Sequence, residues 1–143
     1  MFQRHPVQNE EMMFITTNIN HRQKIFQEDP CARIAVDTLY SIQQYYPFFL
    51  FAFVIMSDHC HFLLRVPAPN SISNIMNVYK SGVSHNLGLG PIWQSRFDLK
   101  IPNQFSEIMR YIHLNPVQKN LATSPEEYPW SSASGRWDIS DQW

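Results

Sequence analysis

The chain has 143 residues, 44% hydrophobic and 14% aromatic, with a formal net charge of −1. That length and composition suit one folded domain with a substantial core and exclude a disordered chain. The near-neutral charge argues against strong whole-molecule attraction to nucleic acid, and no apolar run approaches the roughly 18 residues of a membrane span.

Along the chain, Met12 to Thr17 reads as a strand, rich in apolar and β-branched residues. Asp29-Pro30 is a helix start, with a capping side chain followed by proline in the first turn. Cys31, Ala35, Leu39, Ile42 and Tyr46 mark one face of that helix, and Pro47 closes it. Phe48 to Met56 and His61 to Val66 read as two strands joined by a tight turn at Ser57-Asp58, a hairpin expected at the sheet centre. Asn70 or Ser71 caps a second helix whose apolar face is Ile72, Ile75, Met76, Tyr79 and Val83, with Lys80 off that face. Gly88-Leu89-Gly90-Pro91 breaks the chain before a short strand within Trp93 to Ile101. Asn103 caps a third helix with the stripe Phe105, Ile108, Met109 and Ile112, and Pro116 is expected to end it near Asn115. From Ser124 the tail reads as irregular. This order predicts an α+β fold, a central antiparallel sheet with helices packed on it. One domain is expected over residues 1–143, with a body of about 12–122 and a docking tail of about 123–143.

Two cysteines, Cys31 and Cys60, make no disulfide framework, so a reducing cytoplasm is the expected location. Met1 to Pro6 lacks the apolar core of a signal peptide. From His59 to Lys119 there are six cations against two acids, a local balance of +4. The remaining acids gather towards the two ends, so a basic face around a site is compatible with the neutral whole.

The residues that carry chemistry are His59 and His61. Side chains two apart on a strand share a face, so the pair can offer two imidazoles to one metal ion. Cys60, between them, points the other way as a small core residue. Tyr111 and Asn115 are four apart, one turn of helix, and share a face in turn. Imidazole binds Mn, Zn, Ni or Cu well. Two histidines, a third polar ligand and a phenol together suggest metal-assisted attack by tyrosine. The competing reading is a pair of histidines satisfied by hydrogen bonds in a core.

His59-Cys60-His61 resembles the histidine–hydrophobe–histidine motif of the HUH nucleases. Trp93-Gln94-Ser95-Arg96-Phe97, Tyr111-Ile112-His113-Leu114-Asn115-Pro116-Val117 and Tyr128-Pro129-Trp130-Ser131-Ser132 resemble successive blocks of the IS200-like Y1 transposases, most of all the branch associated with repetitive extragenic palindromes. The resemblance covers roughly residues 12–133. It implies an HUH, ferredoxin-like sandwich and cleavage of single-stranded DNA through a 5′-phosphotyrosine. Tyr111 would be the nucleophile, and His59, His61 and Asn115 the ligands of Mg²⁺ or Mn²⁺. The implied partner is single-stranded DNA bearing a hairpin or palindromic repeat, bound by a monomer or a homodimer.

Lys80, Trp93, Gln94, Arg96, Arg110 and Lys119 are the candidate DNA contacts, although Trp93 and Phe97 suit a core equally well. Asp98 stands where the family often has an acid, with its role open. His113, two residues after Tyr111, points elsewhere on a helix and reads as structural. Asp58 stands where relatives more often have asparagine, an anion beside a proposed phosphate site. The rival readings are a non-cleaving DNA-binding relative and a histidine-ligated hydrolase whose activity would survive Tyr111→Phe.

Overall fold

The computed structural model describes residues 11–140; residues 1–6, read above for a leader, lie outside that range. The elements are β1 (Met13–Ile19), α1 (Asp29–Tyr45), β2 (Phe49–Ile55), β3 (His59–Arg65), α2 (Ile72–Leu87), β4 (Trp93–Lys100) and α3 (Phe105–Gln118). The four strands form one antiparallel sheet in the order β2-β3-β1-β4. The α+β sandwich is therefore as expected, but only half of the β2–β3 hairpin is central. β1 pairs along the open side of β3 and carries β4 outside it, which leaves β2 at the margin.

Strand alternation sorts the core into two layers. Met13, Ile15, Cys60, Phe62, Leu64 and Phe53 face α1 and α2, meeting Ala35, Leu39, Ile75 and Tyr79. Phe14, Leu63, Phe51, Val54 and Met56 face the other way and are covered by α3 through Ile112, Ile108 and Met109. The β2–β3 register shifts between Leu50 and Ala52, so Phe51 and Ala52 both enter the second layer, as a bulge requires. Burying each of the fully enclosed rings of Phe51, Phe53 and Phe62 contributes about 2 kcal/mol.

The helix ends follow local chemistry, with three departures, one being that Gln104 and not Asn103 precedes α3, with no side-chain cap. Ser71 Oγ accepts from the Asn74 amide at 3.2 Å to start α2, and Gly88 ends it at φ +69°, the left-handed geometry glycine tolerates. Pro30 lies in the first turn of α1 as expected, but Asp29 does not cap it. Its Oδ1 instead accepts from the Trp130 indole at 3.1 Å. Likewise α3 does not stop at Asn115: Pro116 lies inside it, and the helix runs to Gln118. An interior proline costs about 3 kcal/mol. Here Ile112, Asn115 and Pro116 are all buried, so packing offsets that cost, and Leu121 N donates to Pro116 O at 2.8 Å to close the end.

The tail is more ordered than its sequence suggests. It makes 3-10 turns at Pro125–Glu127 and Ser132–Ser134 and lies along β2. Ser131 bridges Val54, Tyr128 Oη donates to Ile55 O at 2.6 Å, and Ser132 Oγ accepts from Phe53 N at 3.0 Å. Ser140 N donates to Leu50 O at 2.7 Å. These contacts satisfy backbone groups that a bare edge strand would expose. Among the described residues no helix is long and apolar enough to cross a membrane.

Candidate active site

β3 carries both histidines on the α3 side of the sheet, while Cys60 between them is enclosed in the opposite layer. The imidazole centroids lie 4.7 Å apart with the rings 75° to one another, and both residues are buried. A different residue holds each ring. His59 Nδ1 lies 2.7 Å from Asp58 Oδ1, and Asp58 in turn accepts from Arg22 Nε at 3.0 Å. His61 Nδ1 lies 2.9 Å from the hydroxyl of Thr16, its ladder partner on β1. An imidazole that donates through Nδ1 keeps its Nε2 lone pair for a ligand. The Nε2 of His61 is buried and has no hydrogen-bond partner.

Burial sets the charge state. It pushes His61 down to about 3. His59 is also lowered by burial, although Asp58 opposes the shift. Burial works against the Asp58 carboxylate, but its bonds to His59 and Arg22 prevail and hold it below the usual range. At neutral pH the site thus presents two neutral imidazoles and a compensated carboxylate.

α3 lays the tyrosine over this pair. The Tyr111 ring is 5.5 Å from that of His61 and packs edge-on against Phe14 at 6.0 Å, yet the residue is 46% exposed. Asn115 follows one turn later and is 3% exposed. Lys119, one further turn along, lines a cleft together with His59. Among the described residues no third His, Cys, Asp or Glu joins the two histidines to make a metal cluster. The neutral imidazoles, one with an orphaned buried nitrogen, are donors that fit a divalent cation, with its further positions open to water or substrate.

The expected DNA contacts lie in four places, Lys119 beside His59 and the others as follows. On β4, Asp98 faces Thr16, which faces His61, and Lys100 faces Phe14, so both share the histidine face, and Arg96 lies one strand repeat before Asp98. All three are exposed, because α3 covers β2 and β3 and leaves β4 open on this side. Lys80, Trp93 and Gln94 instead line a cleft of about 440 Å³ between α2 and the start of β4. There Lys80 Nζ donates to Gln94 O at 2.7 Å and the Trp93 indole donates to Lys80 O at 3.0 Å. Trp93 and Phe97 are buried in the α1/α2 layer, so core packing holds for both, with Trp93 also at the edge of that cleft. Arg110 lies apart from the histidines, lining a separate cleft with His113 and Glu126. His113 itself bonds Ser132 Oγ through Nε2 at 2.8 Å, a contact that anchors the tail.

Sequence reasoning missed Thr16, Arg22 and Lys100. The two-residue strand period would have put Thr16 on a face, but only the register sets it opposite His61. Nothing in the sequence around Arg22 points to Asp58, 36 positions away.

An antiparallel sheet with a histidine pair on a central strand and a tyrosine on the helix above it has the layout of a single-tyrosine DNA-cleaving transposase. The family model "Transposase IS200 like" matches residues 11–115, and the chain belongs to that family. The fold is similar to that of a REP-associated tyrosine transposase solved bound to a REP hairpin, with a TM-score of 0.79 at 21% identity, covering 99% of this chain and 94% of that one. It is also similar to a protein from Deinococcus radiodurans R1 described as a transposase, with a TM-score of 0.58 at 14% identity, covering 85% of this chain and 98% of that one. No curated protein sequence matches the chain.

Proposed function

We propose that this transposase nicks and rejoins single-stranded DNA beside a hairpin or palindromic repeat, with Tyr111 as nucleophile. The observation that carries this reading is the exposed Tyr111 ring 5.5 Å from His61, whose Nε2 is buried and unpartnered. The Tyr111 hydroxyl gives up its proton as its oxygen attacks phosphorus, the bond to the 3′ oxygen breaks, and the strand is left joined through a 5′-phosphotyrosine. The leaving oxygen takes up a proton to become a free 3′-hydroxyl. The covalent link retains the bond energy, so a 3′-hydroxyl can later displace the tyrosine and rejoin the strand. His59, His61 and Asn115 would hold Mg²⁺ or Mn²⁺, which when bound polarises the phosphate and favours the phenolate. Thr16 and Asp58 keep the imidazoles in the ligating orientation. Arg96 and Lys100, on the open part of the same face, bind the strand. The hairpin in the substrate is suggested by the hairpin in the similar complex.

The test is incubation with Mn²⁺ and a hairpin-bearing oligonucleotide, followed by denaturing electrophoresis. A shifted protein–DNA band that vanishes in Tyr111→Phe supports the reading. Binding with no adduct under any divalent cation would favour the rival, a hairpin-binding protein derived from a transposase.

A further inference from the structure

Beside His59, and distinct from the Tyr111 approach, lies a cleft of about 220 Å³ whose walls include Arg22, Lys24, Ser57, Asp58, His59 and Lys119. Its three cations come from separate parts of the chain: Arg22 and Lys24 from the segment after β1, and Lys119 from the end of α3. We infer that this cleft binds a backbone phosphodiester of the DNA strand, next to the one that is cut. The inference rests on the proposed single-strand cleavage and specifies where the neighbouring nucleotide lies.

Three observations support it. First, the one anion in the cleft is neutralised by its own contacts. Arg22 reaches both Asp58 oxygens, Nε to Oδ2 at 3.0 Å and Nη2 to Oδ1 at 3.5 Å, while Asp58 Oδ1 also holds His59. The Asp58 carboxylate therefore does not repel a phosphate. Second, Lys24 and Lys119 form no ion pair with a carboxylate among the described residues. Both are exposed, and both line the same cleft as His59. Two uncommitted ammonium groups facing a cleft are suited to a phosphate as point charges. Third, the backbone is held in uncommon geometry on one side, where His21 and Arg22 have φ of +58° and +52°. Left-handed non-glycine residues cost on the order of 1 kcal/mol each and persist where surrounding contacts fix them. Here Arg22 Nη1 donates to Asn18 Oδ1 at 2.9 Å, which fixes the guanidinium that covers Asp58.

The test uses the full chain carrying Tyr111→Phe, so that binding is read without cutting. Anisotropy of a labelled hairpin-bearing single strand is followed as salt is raised, for the parent and for Lys24→Ala/Lys119→Ala. Each phosphate neutralised on a single strand adds about 0.7 to the salt slope. The double variant should lose at least about 0.7 of slope and about tenfold in affinity, and Lys24→Arg/Lys119→Arg should restore both. Mn²⁺ affinity measured without DNA should stay within about twofold, since neither lysine is a ligand. Inorganic phosphate should compete no better than chloride at equal ionic strength, because a strand is held at several points.

Unchanged slope and affinity in the alanine variant overturn the inference while leaving the cleavage reading intact. A parallel loss of Mn²⁺ affinity also overturns it, since the lysines would then act through the histidines. Specific competition by inorganic phosphate would make the cleft a free-anion site instead. If the parent binds no single strand at all, the cleavage reading itself fails, and the inference fails with it.

Discussion

Removing one hydroxyl from two different tyrosines should separate chemistry from folding. Tyr111 is 46% exposed, and its hydroxyl makes no hydrogen bond among the described residues. Its ring contacts with Phe14 and His61 would survive in phenylalanine. Tyr111→Phe should therefore change stability by less than about 0.5 kcal/mol while eliminating the covalent adduct. Tyr128 is the converse case. It is buried, and its hydroxyl donates to Ile55 O at 2.6 Å, pinning the tail to β2. Losing a buried hydrogen bond costs about 1–1.5 kcal/mol, which for a domain of this size lowers Tm by roughly 3–6 °C. Tyr128→Phe should still form adduct at a temperature where it is folded. Thermal melts and adduct formation on a 3′-labelled hairpin oligonucleotide, run on both variants, give the comparison. An adduct retained by Tyr111→Phe, or lost only in Tyr128→Phe, would refute the assignment of the nucleophile.

His59→Ala and His61→Ala should each lower Mn²⁺ affinity at least tenfold by calorimetry, since each removes one of two imidazoles, and undiminished binding would place the metal elsewhere. Acid should destabilise the fold through His61. Above an unfolded-state pKa of about 6.5 both states are neutral, but below it the unfolded chain takes up a proton that the folded chain refuses down to about 3. Stability should fall across that window by up to about 1.4 kcal/mol per pH unit from this group, and denaturant melts of His61→Gln should show a shallower fall. Ser132→Ala should cost about 1–3 kcal/mol in the same melts, because it strips the partner from Phe53 N and from His113 Nε2. Arg96→Ala and Lys100→Ala should each weaken single-strand binding and reduce its salt dependence, while Arg110→Ala, on a separate cleft, should do so less.

Much of the site was legible because it depends on local periodicity. The two-residue strand repeat put His59 and His61 on one face and Cys60 on the other, and one helical turn put Tyr111 and Asn115 together. Those relations need no knowledge of what packs where. The spacing of apolar residues likewise identified three helices and four strands, since burying an amphipathic face is a demand each segment makes by itself. Tertiary structure decided what depends on distant partners. Strand order is one such case, because the β2–β3 hairpin is local but the insertion of β1 between β3 and β4 is not. The helix through Pro116 is another: a proline disfavours helix locally, and only its burial against the sheet overrides that preference. The same holds for Trp93 and Phe97, whose rings suit a base or a core until the packing of α1 and α2 encloses them. Asp58 shows the difference most sharply. Alone it is an anion beside a phosphate site, and only the fold brings Arg22, 36 residues earlier, to neutralise it, because ion pairing depends on distance in space, which sequence separation does not report.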